Sequence, residues 1–240
     1  MNKKAVIKKM KTLNITTAFL IFMTVVLASC STPRRLTSDV KPMEVSEVLK
    51  IEAISYISLI EKGNMMTHND SLSAIAQMAL DKSVEQLREE LRLSSDEIII
   101  SDLFDYEQLE EEILFLIRSL ENSRDVRDVA ITSSLEFLLS GNGKRFGLIV
   151  VQKGFARTGG NYRGQIAKNI GLGIATGLLT GVATYRTPMK SNSTLYAIIV
   201  DNQEKNVAFF NQSWQEKDPT KQENITTQLK RTFEKYFSRK

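Results

Sequence analysis

The stretch Leu195-Tyr196-Ala197-Ile198-Ile199-Val200, the polar turn Asp201-Asn202-Gln203-Glu204-Lys205 and the return Val207-Ala208-Phe209-Phe210 decide the fold. Two short apolar runs joined by a handful of polar residues read as the arms of a β-hairpin that ends near Trp214. Upstream, Phe146 to Phe155 holds Leu148-Ile149-Val150-Val151 between glycines, a pattern suited to a buried central strand. Downstream, Asp218-Pro219 offers an N-cap followed by proline at the first helical position, and Ile225, Leu229, Phe233 and Tyr236 line a last helix.

Earlier in the chain the apolar period changes from two to 3.6. Over Val45 to Ile60 both periods compete, which predicts a short helix followed by a strand over Ala53 to Ile60, ended by Gly63-Asn64. Asp70 is the expected N-cap of a helix whose apolar stripe is Leu72, Ile75, Ala76, Ala79, Leu80, Leu87 and Leu91. A brief β-like run follows at Ile98-Ile99-Ile100. Asp105 caps a second helix with Tyr106, Leu109, Ile113, Leu116, Ile117 and Leu120 on one side, and a third is expected from Val126 to Leu139, stopped by Gly141-Asn142-Gly143. Together these predict an α+β domain over residues 43–240. Its small, mostly antiparallel sheet is flanked by helices, with a helical N-terminal part and a C-terminal β-hairpin followed by a helix.

The first 29 residues have the parts of a secretory signal. Lys3, Lys4, Lys8, Lys9 and Lys11 precede an apolar core from Ile15 to Leu27, and Met10 begins a more compact signal of its own, so the start is open between Met1 and Met10. That core is well short of the roughly 20 apolar residues of a permanent span. It closes on Leu27-Ala28-Ser29-Cys30, which resembles the lipobox cut by the lipoprotein signal peptidase and implies lipidation of Cys30, the only cysteine. Ser31 follows where an aspartate would, in enterobacterial lipoproteins, favour retention in the inner membrane. That resemblance implies the outer membrane, and because Ser31-Thr32-Pro33-Arg34-Arg35 lacks the acidic residues that tend to follow the cysteine in surface-exported lipoproteins, the periplasmic face is expected. Residues 30–42, rich in Thr, Ser, Pro, Arg and Lys, read as the lipidated tether.

Removal of the signal changes the charge. The whole chain has 32 basic and 28 acidic residues. Five of the basic ones are the signal lysines, so the mature part is close to neutral and lacks the basic footprint of a nucleic-acid binder. With its thiol acylated, the chain also has no disulfide and no Cys/His zinc site.

Between the apolar strands lies a glycine-rich insert, residues 157–193, uncharged from Ile170 to Ala183. Gly173, Gly177 and Gly181 are four apart, so a helix here would carry one smooth face. Three readings are open: a loosely packed excursion joining two antiparallel strands, an interfacial or partner-binding helix, and a membrane-inserting hairpin. Gly171-Leu172-Gly173-Ile174-Ala175-Thr176-Gly177 does not directly follow a strand, as a dinucleotide fingerprint must. Lys144 after Gly143 lacks the spacing and following hydroxyl of a P-loop.

On Gly154-Phe155-Ala156-Arg157-Thr158-Gly159-Gly160-Asn161-Tyr162, the apolar glycine run and Ser193 to Asn211, the chain resembles a group of uncharacterised Bacteroidetes outer-membrane lipoproteins. More distantly, the order strand, glycine-bearing insert, hairpin is similar to the small α/β domains of the curli-secretion lipoprotein and of lipoprotein activators of penicillin-binding proteins. Catalytic signatures are sparse. His68, between Thr67 and Asn69, is the sole histidine, and Glu110-Glu111-Glu112 point in different directions on a helix. The expectation is a non-catalytic envelope lipoprotein without cofactor or metal, held to the membrane by its lipid and binding a periplasmic or outer-membrane protein. Arg157, Tyr162, Arg163, Gly173, Gly177 and Gly181 are its candidate contacts to partner or membrane. The alternative is an oligomeric envelope assembly or pore component whose insert contacts the membrane.

Overall fold

A mixed sheet with helices on both faces organises the chain. The computed structural model describes residues 35–51, 53–95, 105–182 and 187–237, so Cys30, the signal and Ile98-Ile99-Ile100 lie outside the described residues. The strands are β1 (Arg35–Thr37), β2 (Leu49–Lys50), β3 (Ile54–Ile60), β4 (Thr67–His68), β5 (Phe146–Arg157), β6 (Ser191–Asp201) and β7 (Asn206–Gln215). The helices are α1 (Asp70–Gln86), α2 (Tyr106–Asn122), α3 (Ser133–Gly141), α4 (Gly159–Thr180) and α5 (Gln222–Phe237). Sheet order is β1-β7-β6-β5-β3-β4, with β2 also on β5. Only β2 and β3 run parallel to β5; the other pairings are antiparallel. The fold is α+β, and the expected hairpin and central strand are in place.

Strand alternation divides the core in two. Leu148, Val150, Leu195, Ala197, Ile199 and Phe209 face α1 and α5, burying Leu80, Val84, Ile225, Leu229 and Phe233. Ile149, Val151, Tyr196, Ile198, Val200 and Phe210 face α2 and α3, burying Ile113, Leu116, Ile117, Leu135 and Leu139. Because β5 and β6 are covered on both sides, their sequences read as continuous apolar runs rather than alternating ones. The hairpin turn is fixed by Asp201, fully buried, whose carboxylate takes two bonds from Arg145 Nε and one from Nη2 at 2.7 Å. The same carboxylate accepts from the backbone N–H groups of Gln203 and Glu204.

Several expectations are corrected. No helix forms over residues 45–51. Glu47 takes φ 47°, Val48 bridges Leu93, and Leu49–Lys50 joins β5, because Val45, Val48 and Leu49 are buried as part of the sheet layer. The cap of α1 is Asn69, whose Oδ1 accepts from Leu72 N, with Asp70 one place inside. Ser73 Oγ accepts from Ile57 N at 2.9 Å, which turns Ser73, Ala76, Leu80 and Ser83 inward and leaves Ile75 51% exposed. The helix expected from Val126 to Leu139 breaks into a 3₁₀ turn at Val126–Asp128 and α3, because Ala130 and Ile131 pair with the hairpin turn. Asp218-Pro219 forms a turn rather than the start of α5: Asp218 Oδ1 accepts from Thr220, and the Pro219 carbonyl accepts from buried Gln152. Arg35–Thr37, inside the stretch expected as tether, pair with β7.

Tyr236 shows what burial costs when a polar group is left over. It packs on Phe209, ring centroids 4.3 Å apart, and its hydroxyl is buried without a hydrogen-bond partner. Burial pushes its ionisation up to about 12. The folded value exceeds the ordinary tyrosine value of about 10, so the neutral phenol's contribution is complete below that pH and is lost as pH climbs toward 12. Tyr236→Phe removes the orphaned hydroxyl and is expected to stabilise the domain by about 1 kcal/mol in urea titration and to weaken its alkaline loss.

Candidate interaction site

At the end of the sheet where β5 finishes, Thr158 Oγ1 accepts from Asn161 N and opens α4. Gly181, at φ 75°, closes it in the left-handed conformation, its N–H bonded to the Gly177 carbonyl. The helix includes Gly159, Gly160, Gly164, Gly171, Gly173 and Gly177. Each costs about 1 kcal/mol relative to alanine, so α4 depends on its surroundings more than an ordinary helix does.

Arg157 fixes the root. Its guanidinium donates to the carbonyls of Met189 (2.8 Å) and Gly63 (3.0 Å) and to the side-chain oxygens of Asn161 and Asn64 (both 2.9 Å). Asn161 and Gln165 donate to the same Gly63 carbonyl, tying the first turns of α4 to the β3–β4 turn. Gly154 sets the approach just before: a Cβ there would stand 2.4 Å from the Asn192 carbonyl oxygen, closer than real contacts allow. Arg157→Ala is expected to cost about 1–2 kcal/mol of local stability through its lost bonds. Hydrogen exchange should then quicken in residues 159–165 while the amides of β6 keep their protection.

Beyond the root, none of the side chains of α4 joins either core. Leu172 and Ile174 are both 57% exposed, Leu178 84% and Leu179 87%. Among the residues expected as contacts, Arg157 is engaged in the clasp, Tyr162 is half-buried, and Arg163 is exposed with Nε bonded to the Gly159 carbonyl. Gly173 is the buried residue of the helix, Gly177 is half-buried, and Gly181 is the cap rather than part of a helical face. The sequence reading missed the leucines and isoleucines between the glycines. Their signal was present: apolar residues with no polar face opposite them.

Two further features lie elsewhere on the domain. In one register row Tyr56, Lys153, Thr194 and Trp214 share a sheet face, with Trp214 56% exposed. Lys153 Nζ stands 5.5 Å from the Tyr196 ring centre, and the Tyr196 hydroxyl donates to Glu121 at 2.9 Å. Burial and the Glu121 carboxylate push the Tyr196 ionisation above the usual range. Between β3, α1 and α2 there is a cleft of about 350 Å³ lined by Tyr56, His68, Gln77, Tyr106 and Glu110. The Tyr56 hydroxyl donates to Glu110, and burial with that carboxylate pushes its ionisation up. His68 Nε2 lies 3.0 Å from Asp70.

Among the described residues no group of three or more His, Cys, Asp or Glu side chains is placed to hold a metal ion. No helix among them is long and apolar enough to cross a membrane.

No protein-family model matches the chain, and no curated protein matches it. Solved structures similar to it include two of the PelC dodecamer from Paraburkholderia phytofirmans. One, of a point variant, has TM-score 0.36 and 8% identity; the other has TM-score 0.35 and 7% identity. Each alignment covers 87% of this chain and 99% of the other. The LpoB C-terminal domain from Salmonella enterica aligns with TM-score 0.26 and 10% identity, over 75% of this chain and 88% of that one. Likenesses this distant carry no inference about fold or function.

Proposed function

We propose that the chain is a non-catalytic bacterial envelope lipoprotein, held by acylated Cys30 to the periplasmic leaflet of the outer membrane. Its domain binds a periplasmic or outer-membrane protein at the end of the sheet where α4 projects. The observation that carries this reading is the surface at that end. A helix rooted by the Arg157 clasp presents Leu172, Ile174, Leu178 and Leu179 to solvent, and a sheet row separately exposes Trp214. Large apolar side chains exposed along one helix favour an interaction site, since burying each contributes roughly 1.5–3 kcal/mol. Lipidation is supported by the Leu27-Ala28-Ser29-Cys30 sequence and the signal before it.

The test is photo-crosslinking in the native envelope, with a benzophenone amino acid placed at Tyr162 or at Trp214. The expected result is an adduct with an envelope protein from at least one position. No protein adduct from either would contradict the reading. Adducts composed only of this chain would replace it with the oligomeric assembly.

A further inference from the structure

Among the described residues, the only strand on the outer edge of β3 is β4, which is two residues long. His68 and Thr67 stand opposite Ser58 and Leu59, the Asn69 N–H donates to the Ile57 carbonyl at 3.0 Å, and the chain then turns into α1. On the same side the Ile57 N–H donates to Ser73 Oγ at 2.9 Å. Both outward groups of Ile57 are therefore satisfied. Backbone direction in a strand alternates with period two, so the N–H and carbonyl of Ser55 point outward as well. No described strand meets them, because the pairing with β4 stops at Ser58. An edge left open in this way is a template for one more strand.

The cleft of about 350 Å³ runs along that edge. Ser55 and Tyr56 line it together with Gln77 of α1 and Tyr106, Leu109 and Glu110 of α2. It lies at the small end of the roughly 300–1,000 Å³ of ligand pockets. A helix, about 10 Å across with its side chains, is too wide for it, whereas a few residues of extended chain are not. Ser55 is also held from behind, its hydroxyl donating to Gln152 Oε1 at 3.3 Å in the network beneath α5. The edge is therefore preset, which lowers the ordering cost of adding a strand.

The lining has a charge preference too. Tyr106 is 45% exposed, and the rings of Tyr56 and His68 stand 6.2 Å apart. The Glu110 carboxylate accepts from the Tyr56 hydroxyl, and Asp70 lies 3.0 Å from His68 Nε2. Lys153 is level with Tyr56 on β5, but its ammonium sits over the Tyr196 ring, toward β6 and away from β3. Aromatic faces beside a carboxylate attract a cation.

We infer that this cleft takes an extended segment of a partner protein, added as a strand to β3 at Ser55, with a lysine or arginine side chain set against Tyr56 and Tyr106 and paired with Glu110. The site shares no residue with α4 and needs no lipid anchor, so it stands or falls apart from the function proposed above.

The full chain in detergent is used to select from a phage library of random heptapeptides, and the enriched peptide is synthesised with a fluorescent label for anisotropy. Enriched peptides should carry a lysine or arginine. Glu110→Gln keeps an acceptor for the Tyr56 hydroxyl but removes the charge; it and Tyr106→Ala should each weaken binding about tenfold, and Leu178→Ala should leave it unchanged. N-methylation should abolish binding at alternate peptide positions and spare those between, and the peptide should slow hydrogen exchange of the Ser55 amide several-fold. No enrichment, or peptides indifferent to Glu110→Gln, would overturn the inference. So would peptides that respond to Leu178→Ala instead, which bind α4. A Ser55 amide already fully protected without peptide overturns it as well, because the edge is then filled by the chain itself.

Discussion

Arg145→Ala is expected to lower the stability of the domain by about 3 kcal/mol. The Asp201 side chain is wholly inaccessible to solvent, whereas that of Arg145 is 35% exposed, so removing the arginine leaves the more deeply buried charge behind. The backbone bonds from Gln203 and Glu204 remain, which places the cost at the lower end of the range for breaking a buried pair. The stacking of the guanidinium over Phe146, 4.7 Å from the ring centre, is lost as well. Arg145→Lys keeps the charge but not the forked bonds, so urea titration should place it between the wild type and the alanine variant. Equal stability of wild type and Arg145→Ala would show that the hairpin turn does not depend on this pair.

Gln228→Leu is expected to cost at least as much, about 3–4 kcal/mol, since each buried polar group left without its partner costs about 1–3 kcal/mol. The Gln228 amide sits beneath α5 at the centre of a buried network. It donates to the Ser193 and Ser213 carbonyls and accepts from Ser193 Oγ and Gln215 Nε2. Ser193 is joined in turn to Gln152, which reaches Ser55 and the Pro219 carbonyl. Asn211 donates to the Thr232 carbonyl further along α5. Leucine matches the volume and satisfies none of these groups. Thr227→Val, at the next position but exposed, should change stability by no more than about 0.5 kcal/mol. A Gln228→Leu protein that melts with the wild type would mean that α5 is held by its apolar stripe alone.

That network also shows where the sequence stops being legible. The apolar stripe of α5 was readable because Ile225, Leu229, Phe233 and Tyr236 follow the helical period. Gln228 and Thr232 interrupt the same buried face, and nothing local says that their partners lie on β6 and β7. The hairpin and β5 were legible because strands covered on both faces have to be continuously apolar. Over residues 45–51 the reading failed because apolar spacing alone cannot tell a helix from an extended segment laid against β5. The Asp218-Pro219 turn mimicked a helix start, yet Pro219 packs against Gly154, a contact between elements far apart in sequence.

At the insert, spacing drew attention to Gly173, Gly177 and Gly181, while the structure places the exposed surface on the residues between them. The role of Arg157 was likewise hidden, because its acceptors come from Gly63, Asn64, Asn161 and Met189, on three separate segments. The pairing of β1 with β7 was hidden too, because its three residues lie inside a segment whose composition reads as a linker.

Lipidation of Cys30 underlies the proposed location, and mass spectrometry of the mature protein's N-terminal peptide tests it most directly. The account predicts a peptide that begins at Cys30 and carries a diacylglyceryl thioether and an amide-linked acyl chain, and predicts its absence from Cys30→Ser. A mature chain that begins elsewhere, or that contains Cys30 with a free thiol, would contradict it.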